Sequence, residues 1–385
     1  TEFEILTGMR QHDFGVSEYP YKTVLKSKTS ESICTDLKKL GYSTHAVHNN
    51  EATFYGRNTV FSNIGFDTFC SMEYMNGLTD SPNGWSNDDV LSREIMKTLD
   101  STSGPDFTMA ITVQSHGKYD GIALDDPTIK VTGAPEGKEQ AYEYYVNEIH
   151  EVDRMIDTLI KELSNRKEET VLVLYGDHLP SLDIQKDDLS NANLYQTQYV
   201  VWDNMNLKKK TKNLHAYQLY AEVLDRIQIH EGMITKYHQQ TKHRSKLYLT
   251  GLTTLSYDLL YGDNYAYDGK NPFKQTELQM GTEPVKLTSV QKTKSGYRVV
   301  GSGFTPYCKV YYDGTLVESE WISSECLQLQ DEFELDEADK KDSGEPETEV
   351  TEPRDVPNAF VVEVQSDDGV VLSSTQAYPA SQVKK

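Results

Sequence analysis

The chain has little of what would give it a simple assignment. Four cysteines stand among its 385 residues: Cys34, Cys70, Cys308 and Cys326. None forms a C-x-x-C pair, so neither a zinc knuckle nor a thiol redox motif is present, and they read as buried thiols rather than a disulfide framework. No apolar run approaches 18 residues, so the sequence encodes no membrane-crossing helix within its own length. Basic residues are scarce: 38 against 60 acids, a formal net charge of -22, with no basic stripe. That balance excludes a general nucleic-acid binder. It does not exclude an anionic substrate, because a local Arg/His pocket fits within an acidic protein. No leader pattern opens the chain, and it begins at Thr1 rather than Met. It therefore reads as a fragment or a processed ectodomain.

Tyrosine, by contrast, is abundant at 25 residues, which suits a polar, extracellular or carbohydrate-rich setting. The most informative stretch is Val171 to Leu182, VLVLYGDHLPSL. Its four leading apolar residues predict a strand buried on both faces of a mostly parallel sheet. The run stops at Tyr175-Gly176, and Asp177-His178 follow at once. Ligands bind beyond the carboxyl ends of strands in open α/β sheets. A carboxylate and an imidazole at that point are suitable ligands for Mn²⁺, Zn²⁺ or Fe. An ordinary polar turn is the plainer alternative.

Two other strands end in the same way. Thr44–Val47 runs into His48, and the loop HNNEATFYGRN holds Phe54, Tyr55 and Arg57. Arg57 offers a planar fork for phosphate or sulfate, His48 a donor, and the aromatics a wall. Phe107–Val113 runs into Gln114-Ser115-His116. Three histidines at equivalent strand ends point to one site at one sheet edge.

Helices alternate with these strands. Ser30 is expected to cap a helix through Leu40, and Ser86 another, with Asp88 and Asp89 in its first turn. Tyr145 to Leu163 carries an apolar stripe at helical spacing, and Ala216–Ile229 and Leu255–Tyr261 are further candidates. Residues 1–262 therefore form an α/β domain with a largely parallel sheet. Residues 263–283 read as a linker. Residues 284–385 are a run of short β-prone segments, with Asp313-Gly314 as a hairpin signal, and suggest a small immunoglobulin-like sandwich. Within it, residues 331–354 hold eleven acids and three bases and read as a solvated loop.

Taken together, these blocks resemble the lipoteichoic acid synthase family, in the sulfatase-like branch of the alkaline phosphatase superfamily. TEFEILTG at the start is similar to the segment just after that family's catalytic threonine. HNNEATFYGR is similar to its substrate segment, TVQSHGKY at Thr112–Tyr119 to a block with a further substrate His, YGDHLPSL at Tyr175–Leu182 to its Asp-His metal block, and LYQTQYVVWDN at Leu194–Asn204 to the following strand.

The resemblance implies a sulfatase/alkaline-phosphatase-like α/β/α sandwich. It implies that Asp177 and His178 ligate a divalent metal, Mn²⁺ or else Mg²⁺ or Zn²⁺. It makes His48, Tyr55, Arg57 and His116 the substrate-binding residues, with Tyr55 where the family often has Trp. The nucleophilic threonine would lie three residues before Thr1, with an acidic metal ligand further upstream, so that this stretch by itself is expected to be inactive. The implied activity is extracellular transfer of glycerophosphate from phosphatidylglycerol to a cell-envelope glycerophosphate polymer, at a membrane to which upstream helices anchor the protein. Two other readings compete: a sulfatase, phosphodiesterase or other phospho-head-group transferase with the same metal site, and a non-enzymatic cell-surface module that binds a wall polymer.

Overall fold

The computed structural model describes residues 1–15, 18–243, 245–330, 333–335 and 352–384. The chain opens with α1 (Glu2–Thr7) and α2 (Ile33–Lys38). The cap of α2 is Ser32, not Ser30. Ser32 Oγ accepts from the backbone N–H of Cys34 and Thr35, and Thr35 Oγ1 accepts from the Ser32 N–H. This reciprocal pair fixes the start of the helix, and Ser30, two residues earlier, is buried outside it.

Then follow β1 (Ser43–His48), α3 (Arg57–Asn63), β2 (Thr68–Cys70), α4 (Val90–Asp100) and β3 (Asp106–Ile111). Next come α5 (Glu139–Asn165), β4 (Val171–Tyr175), β5 (Tyr199–Asp203), α6 (Leu219–Arg226), α7 (Met233–Gln240), α8 (Lys246–Leu260) and β6 (Gln279–Met280). Strands β3, β1, β2 and β6 form one sheet in that order, every pair parallel. Strand β1 lies inside the sheet, bonded on both edges, and is buried from Thr44 to His48 although four of its six residues are polar. Its register sets His48 opposite Ile111 at the carboxyl edge of the sheet. The polar stretch read as a linker thus contributes an edge strand, β6, to the parallel sheet.

Strand β4 departs from the sequence expectation. Among the described residues its one ladder partner is β5, antiparallel, and all five of its residues are half-buried. An apolar run requires cover on both faces, but it cannot name the partner that supplies it. Here Leu172 packs with the α4–α5 cluster of Leu91, Ile95, Leu159 and Leu163. Val171, Val173 and Tyr175 pack toward Ile5, Leu219 and Val223. The strand is clothed by helices rather than by parallel neighbours.

The rest of the chain is all-β: β7 (Lys286–Thr293), β8 (Gly296–Ser302), β9 (Cys308–Tyr312), β10 (Thr315–Val317), β11 (Ser319–Ser323), β12 (Cys326–Leu329), β13 (Ala359–Gln365), β14 (Val371–Ser374) and β15 (Tyr378–Pro379). One sheet runs β11-β12-β8-β7 and the other β10-β9-β13-β14, with β15 beside β13. Lettered in chain order, these are the A-B-E-D and C′-C-F-G sheets of an immunoglobulin-type sandwich. Asp313 and Gly314 both take positive φ, 47° and 71°, the type I′ geometry that joins β9 to β10. The sandwich core includes Val299, Phe304, Val310, Leu327 and Phe360, and Leu335 folds into it. Most of the acidic stretch 331–354 lies outside the described residues.

Two joints hold the β domain to the α/β unit. Thr305 Oγ1 donates to the Glu73 carbonyl at 2.7 Å, and Asn76 Nδ2 to the Phe304 carbonyl at 3.1 Å. The Tyr74 hydroxyl meets Ser373 Oγ at 2.7 Å, and its ring packs against three apolar clusters at once. Gly281, at φ +79°, leaves room for that ring: a Cβ there would sit 2.6 Å from Tyr74 Cδ1. All four thiols are free, and three of them are buried. Among the described residues no helix is long and apolar enough to cross a membrane.

Candidate active site

The residues singled out in the sequence come together as two groups, one buried and one exposed. The buried group is His48, Arg57 and their neighbours. His48 is 3% exposed, and its Nδ1–H donates to the Ile111 carbonyl at 2.9 Å, across the β1–β3 ladder. Burial, and then the nearby Arg57 charge, lower its pKa to about 3. A neutral imidazole with Nδ1–H committed has only the Nε2 lone pair left. His48 therefore faces the site as an acceptor, rather than the donor expected from the sequence.

Arg57 opens α3 and is 4% exposed. Its fork is not free for an anion. Nη2 donates to Glu2 Oε2 at 2.8 Å and Nε to Glu2 Oε1 at 3.3 Å. Nη1 is buried without a hydrogen-bond partner. The guanidinium lies 5.6 Å from the Phe54 ring and 5.5 Å from that of Tyr55, within cation–π range. Tyr55 is held at φ 60°, an uncommon conformation for a bulky residue. Its ring is tilted against Phe54 at 4.4 Å and stands 5.5 Å from Tyr19, forming the expected aromatic wall.

The exposed group is His116, Asp177 and His178. The rings of His116 and His178 meet edge to face at 5.9 Å. The Nδ1–H of His116 donates to the Gly117 carbonyl, and that of His178 to the Leu179 carbonyl. Each keeps its Nε2 lone pair outward, the arrangement usual for a ligating histidine. His178 Nε2 lies 3.6 Å from Asp177 Oδ1. Two ligands at tetrahedral bond lengths around one ion stand about 3.4 Å apart. The carboxylate–imidazole pair thus fits a divalent cation in chemistry and in spacing. The two side chains would supply two ligands of such a site: among the described residues no three His, Cys, Asp or Glu side chains converge to hold a metal.

The first turn of the chain joins the two groups. Thr1 Oγ1 donates to the Asp177 carbonyl at 2.8 Å, and the next residue is Glu2 on Arg57.

Sequence reasoning missed the clasp that holds His116. Helix α4 begins at Val90, so Ser86 does not cap it and Asp88 is not in its first turn. Asp88 instead turns inward and is fully buried. Its Oδ1 accepts from Asn49 Nδ2 at 2.8 Å and from the Val113 and Gln114 amides at 3.0 and 3.3 Å. Asn83 Nδ2 donates to the His116 carbonyl and Trp85 Nε1 to the Gly117 carbonyl, each at 3.0 Å. The Trp85 ring also meets the His116 ring edge on at 5.2 Å. The one sequence signal was Asp88 and Asp89 in succession, which the helix dipole explained too readily.

His48 closes β1 and His116 follows β3 of the parallel sheet, Arg57 opens α3, and the Asp177-His178 pair follows β4 of the separate antiparallel ribbon; the fold is that of the alkaline phosphatase superfamily. Residues 1–229 match the sulfatase family model, and the chain belongs to that family. It is 30% identical over 227 residues to a protein named for cyclic beta-1,2-glucan modification in Rhizobium meliloti (strain 1021), covering 54% of this chain and 35% of that one. It is 24% identical over 199 residues to lipoteichoic acid synthase 2 of Bacillus subtilis (strain 168), covering 50% and 30%. The chain spans about a third of the length of these relatives. Among solved structures, the phosphoglycerol transferase GacH of Streptococcus pyogenes, in complex with sn-glycerol-1-phosphate, superposes with a TM-score of 0.57. The identity is 20%, over 71% of this chain and 76% of GacH. The likeness establishes the shared fold.

Proposed function

We propose that this protein is an extracellular phosphoglycerol transferase, moving glycerophosphate from a phosphatidylglycerol-type lipid to a cell-envelope polymer. One observation carries the reading: the first turn of the chain lies between Arg57 and Asp177, through Glu2 and Thr1. A nucleophilic threonine just ahead of Thr1 would then stand between the anion-binding residues and the metal-ligand pair. The relatives' names support the chemical class.

In this reading the threonine hydroxyl attacks phosphorus, diacylglycerol leaves, and the glycerophosphoryl group rests on the threonine. An acceptor hydroxyl then displaces it, so that a difficult step is split into two. His48 Nε2 accepts a hydrogen bond from the glycerol or acceptor hydroxyl. Arg57 donates to a non-bridging oxygen from Nη1, and His116 Nε2 accepts from a hydroxyl of the head group. Tyr55 and Phe54 wall the head group. Asp177 and His178 would hold Mn²⁺ or another divalent ion, which when bound lowers the pKa of a nucleophile and polarises a phosphoryl oxygen. The reaction takes place at the outer face of the cell membrane, where the lipid tails stay in the bilayer. The acceptor is a saccharide polymer on the strength of the relative named for glucan modification, and a glycerophosphate polymer on that of the lipoteichoic acid synthases.

The test is full-length protein with Mn²⁺ and fluorescent phosphatidylglycerol. Diacylglycerol should be released, and a glycerophosphate mass should appear on a threonine. Asp177→Ala and His178→Ala should each lower release by at least about 100-fold. Metal binding without release would redirect the assignment to a sulfatase or another head-group transferase. Unchanged release in both variants would remove the metal from the reaction.

A further inference from the structure

The buried half of the site is arranged in a way that a simple phosphate clamp would not be. An Arg gripping a phosphate or sulfate presents two parallel N–H groups. Here the carboxylate of Glu2 already occupies that face, at 2.8 and 3.3 Å. The pair is shielded, with side-chain exposures of 5% for Arg57 and 14% for Glu2. His48 adds no charge, because its single N–H is bonded to the Ile111 carbonyl. Tyr19 and Tyr21 flank the pair, and burial together with the Glu2 charge keeps both phenols protonated. The lysines nearby are both exposed: Lys22 Nζ lies 4.6 Å from the centre of the Tyr55 ring, and Lys26 runs beside Gly56. The charges facing this half of the site are therefore one guanidinium and one carboxylate, which cancel. What remains toward a ligand is the unpartnered Nη1 donor of Arg57 and the Nε2 acceptor of His48.

We propose that Glu2 is a specificity-determining residue: by holding the Arg57 fork it keeps this half-site electrically neutral, and so favours a singly charged phosphodiester over a doubly charged phosphate or phosphomonoester. The inference rests on the phosphodiester reading above and adds to it the residue that selects for ester class. Its physical basis is that Coulomb energy scales with ligand charge. Removing the Glu2 charge gives a dianion twice the free energy it gives a monoanion at the same distance, so the dianion's fold-gain is the square of the monoanion's. Glu2 is the first residue of a six-residue helix, and Gln fills the same volume while still accepting one hydrogen bond, so Glu2→Gln changes charge with little change of shape.

The experiment titrates wild type, Glu2→Gln and Glu2→Gln/Arg57→Gln with two probes at about pH 8.5, by calorimetry. The probes are inorganic phosphate, mainly a dianion there, and dimethyl phosphate, a monoanion. In Glu2→Gln the affinity for phosphate should rise at least about tenfold and that for dimethyl phosphate about threefold. Adding Arg57→Gln should abolish both gains. Equal gains for the two probes would overturn the proposal. So would no gain in a variant whose melting temperature matches wild type, a gain that survives loss of Arg57, or failure of the probes to bind any of the three proteins. Diacylglycerol release does not enter this measurement, so a failure of the transferase reading shows separately.

Discussion

Asp36 is a carboxylate enclosed by protein on every side. It is fully buried, and its Oδ2 accepts from Thr235 Oγ1 at 2.8 Å. Its Oδ1 has no hydrogen-bond partner, and Lys39 Nζ stands 3.8 Å from it. Burial, and next the neighbouring Glu31 carboxyl, push its pKa from 3.8 up to about 8. The folded state therefore holds a proton that the unfolded chain has lost between those values. Its contribution to stability is complete below about pH 4 and falls away as pH rises through about 8. Asp36→Asn, which cannot ionise, should melt closer to its pH 5 temperature when heated at about pH 8.5 than wild type does; thermal melts at both pH values measure the difference. At this scale the sequence was readable wherever a side chain with one chemistry followed a strand: His48, His116, Asp177 and His178 all lie where strand ends put them. The Glu2–Arg57 pair was not readable. Fifty-five positions separate its members, and no local pattern couples a carboxylate to a guanidinium over that distance.

The segment from Ser81 to Asp88 has no regular structure, yet it fixes the geometry of the exposed half-site. Asp88 gathers the ends of β1 and β3 through Asn49, Val113 and Gln114, while Asn83 and Trp85 hold the carbonyls on either side of the His116–Gly117 bond. Asp88→Ala leaves the buried Val113 and Gln114 amides without an acceptor. It should cost about 3 kcal/mol in urea unfolding, and diacylglycerol release by the full-length protein should fall with it as His116 loses its footing. Elements set by local chemistry were legible: the α5 helix, β1 and the Asp313-Gly314 turn appear where the residues require them, although of the expected α5 stripe Leu159 and Leu163 are buried and Ile149 is exposed. Pairing was less so. Strand β4 has the composition of an interior parallel strand and the neighbours of an antiparallel ribbon, because hydrophobic cover from helices satisfies the same residues. Strands β11 and β12 escaped notice because SEWIS and CLQL are short and neither alternates cleanly between apolar and polar residues.

At the scale of the whole molecule, Tyr74 ties the α/β unit to the sandwich. Its ring touches the core of each, and its hydroxyl meets Ser373. Wild-type protein should unfold in a single calorimetric transition. Tyr74→Ala should cost roughly 3 kcal/mol or more and separate the trace into two transitions, one for each unit. The sequence suggested two domains from a change in residue character near Gly262, but it could not announce this joint, which depends on which surfaces meet. The strand order β3-β1-β2-β6 has a consequence for synthesis. The last strand of the parallel sheet, Gln279–Met280, leaves the ribosome after every helix of the α/β unit, and the first strand of the sandwich follows six residues later at Lys286. The edge of β2 thus waits as an open template while residues 71–278 are made. Any release of the chain before Met280 yields a polypeptide that holds α1 to α8 and an uncapped sheet, which is the species a chaperone must shield.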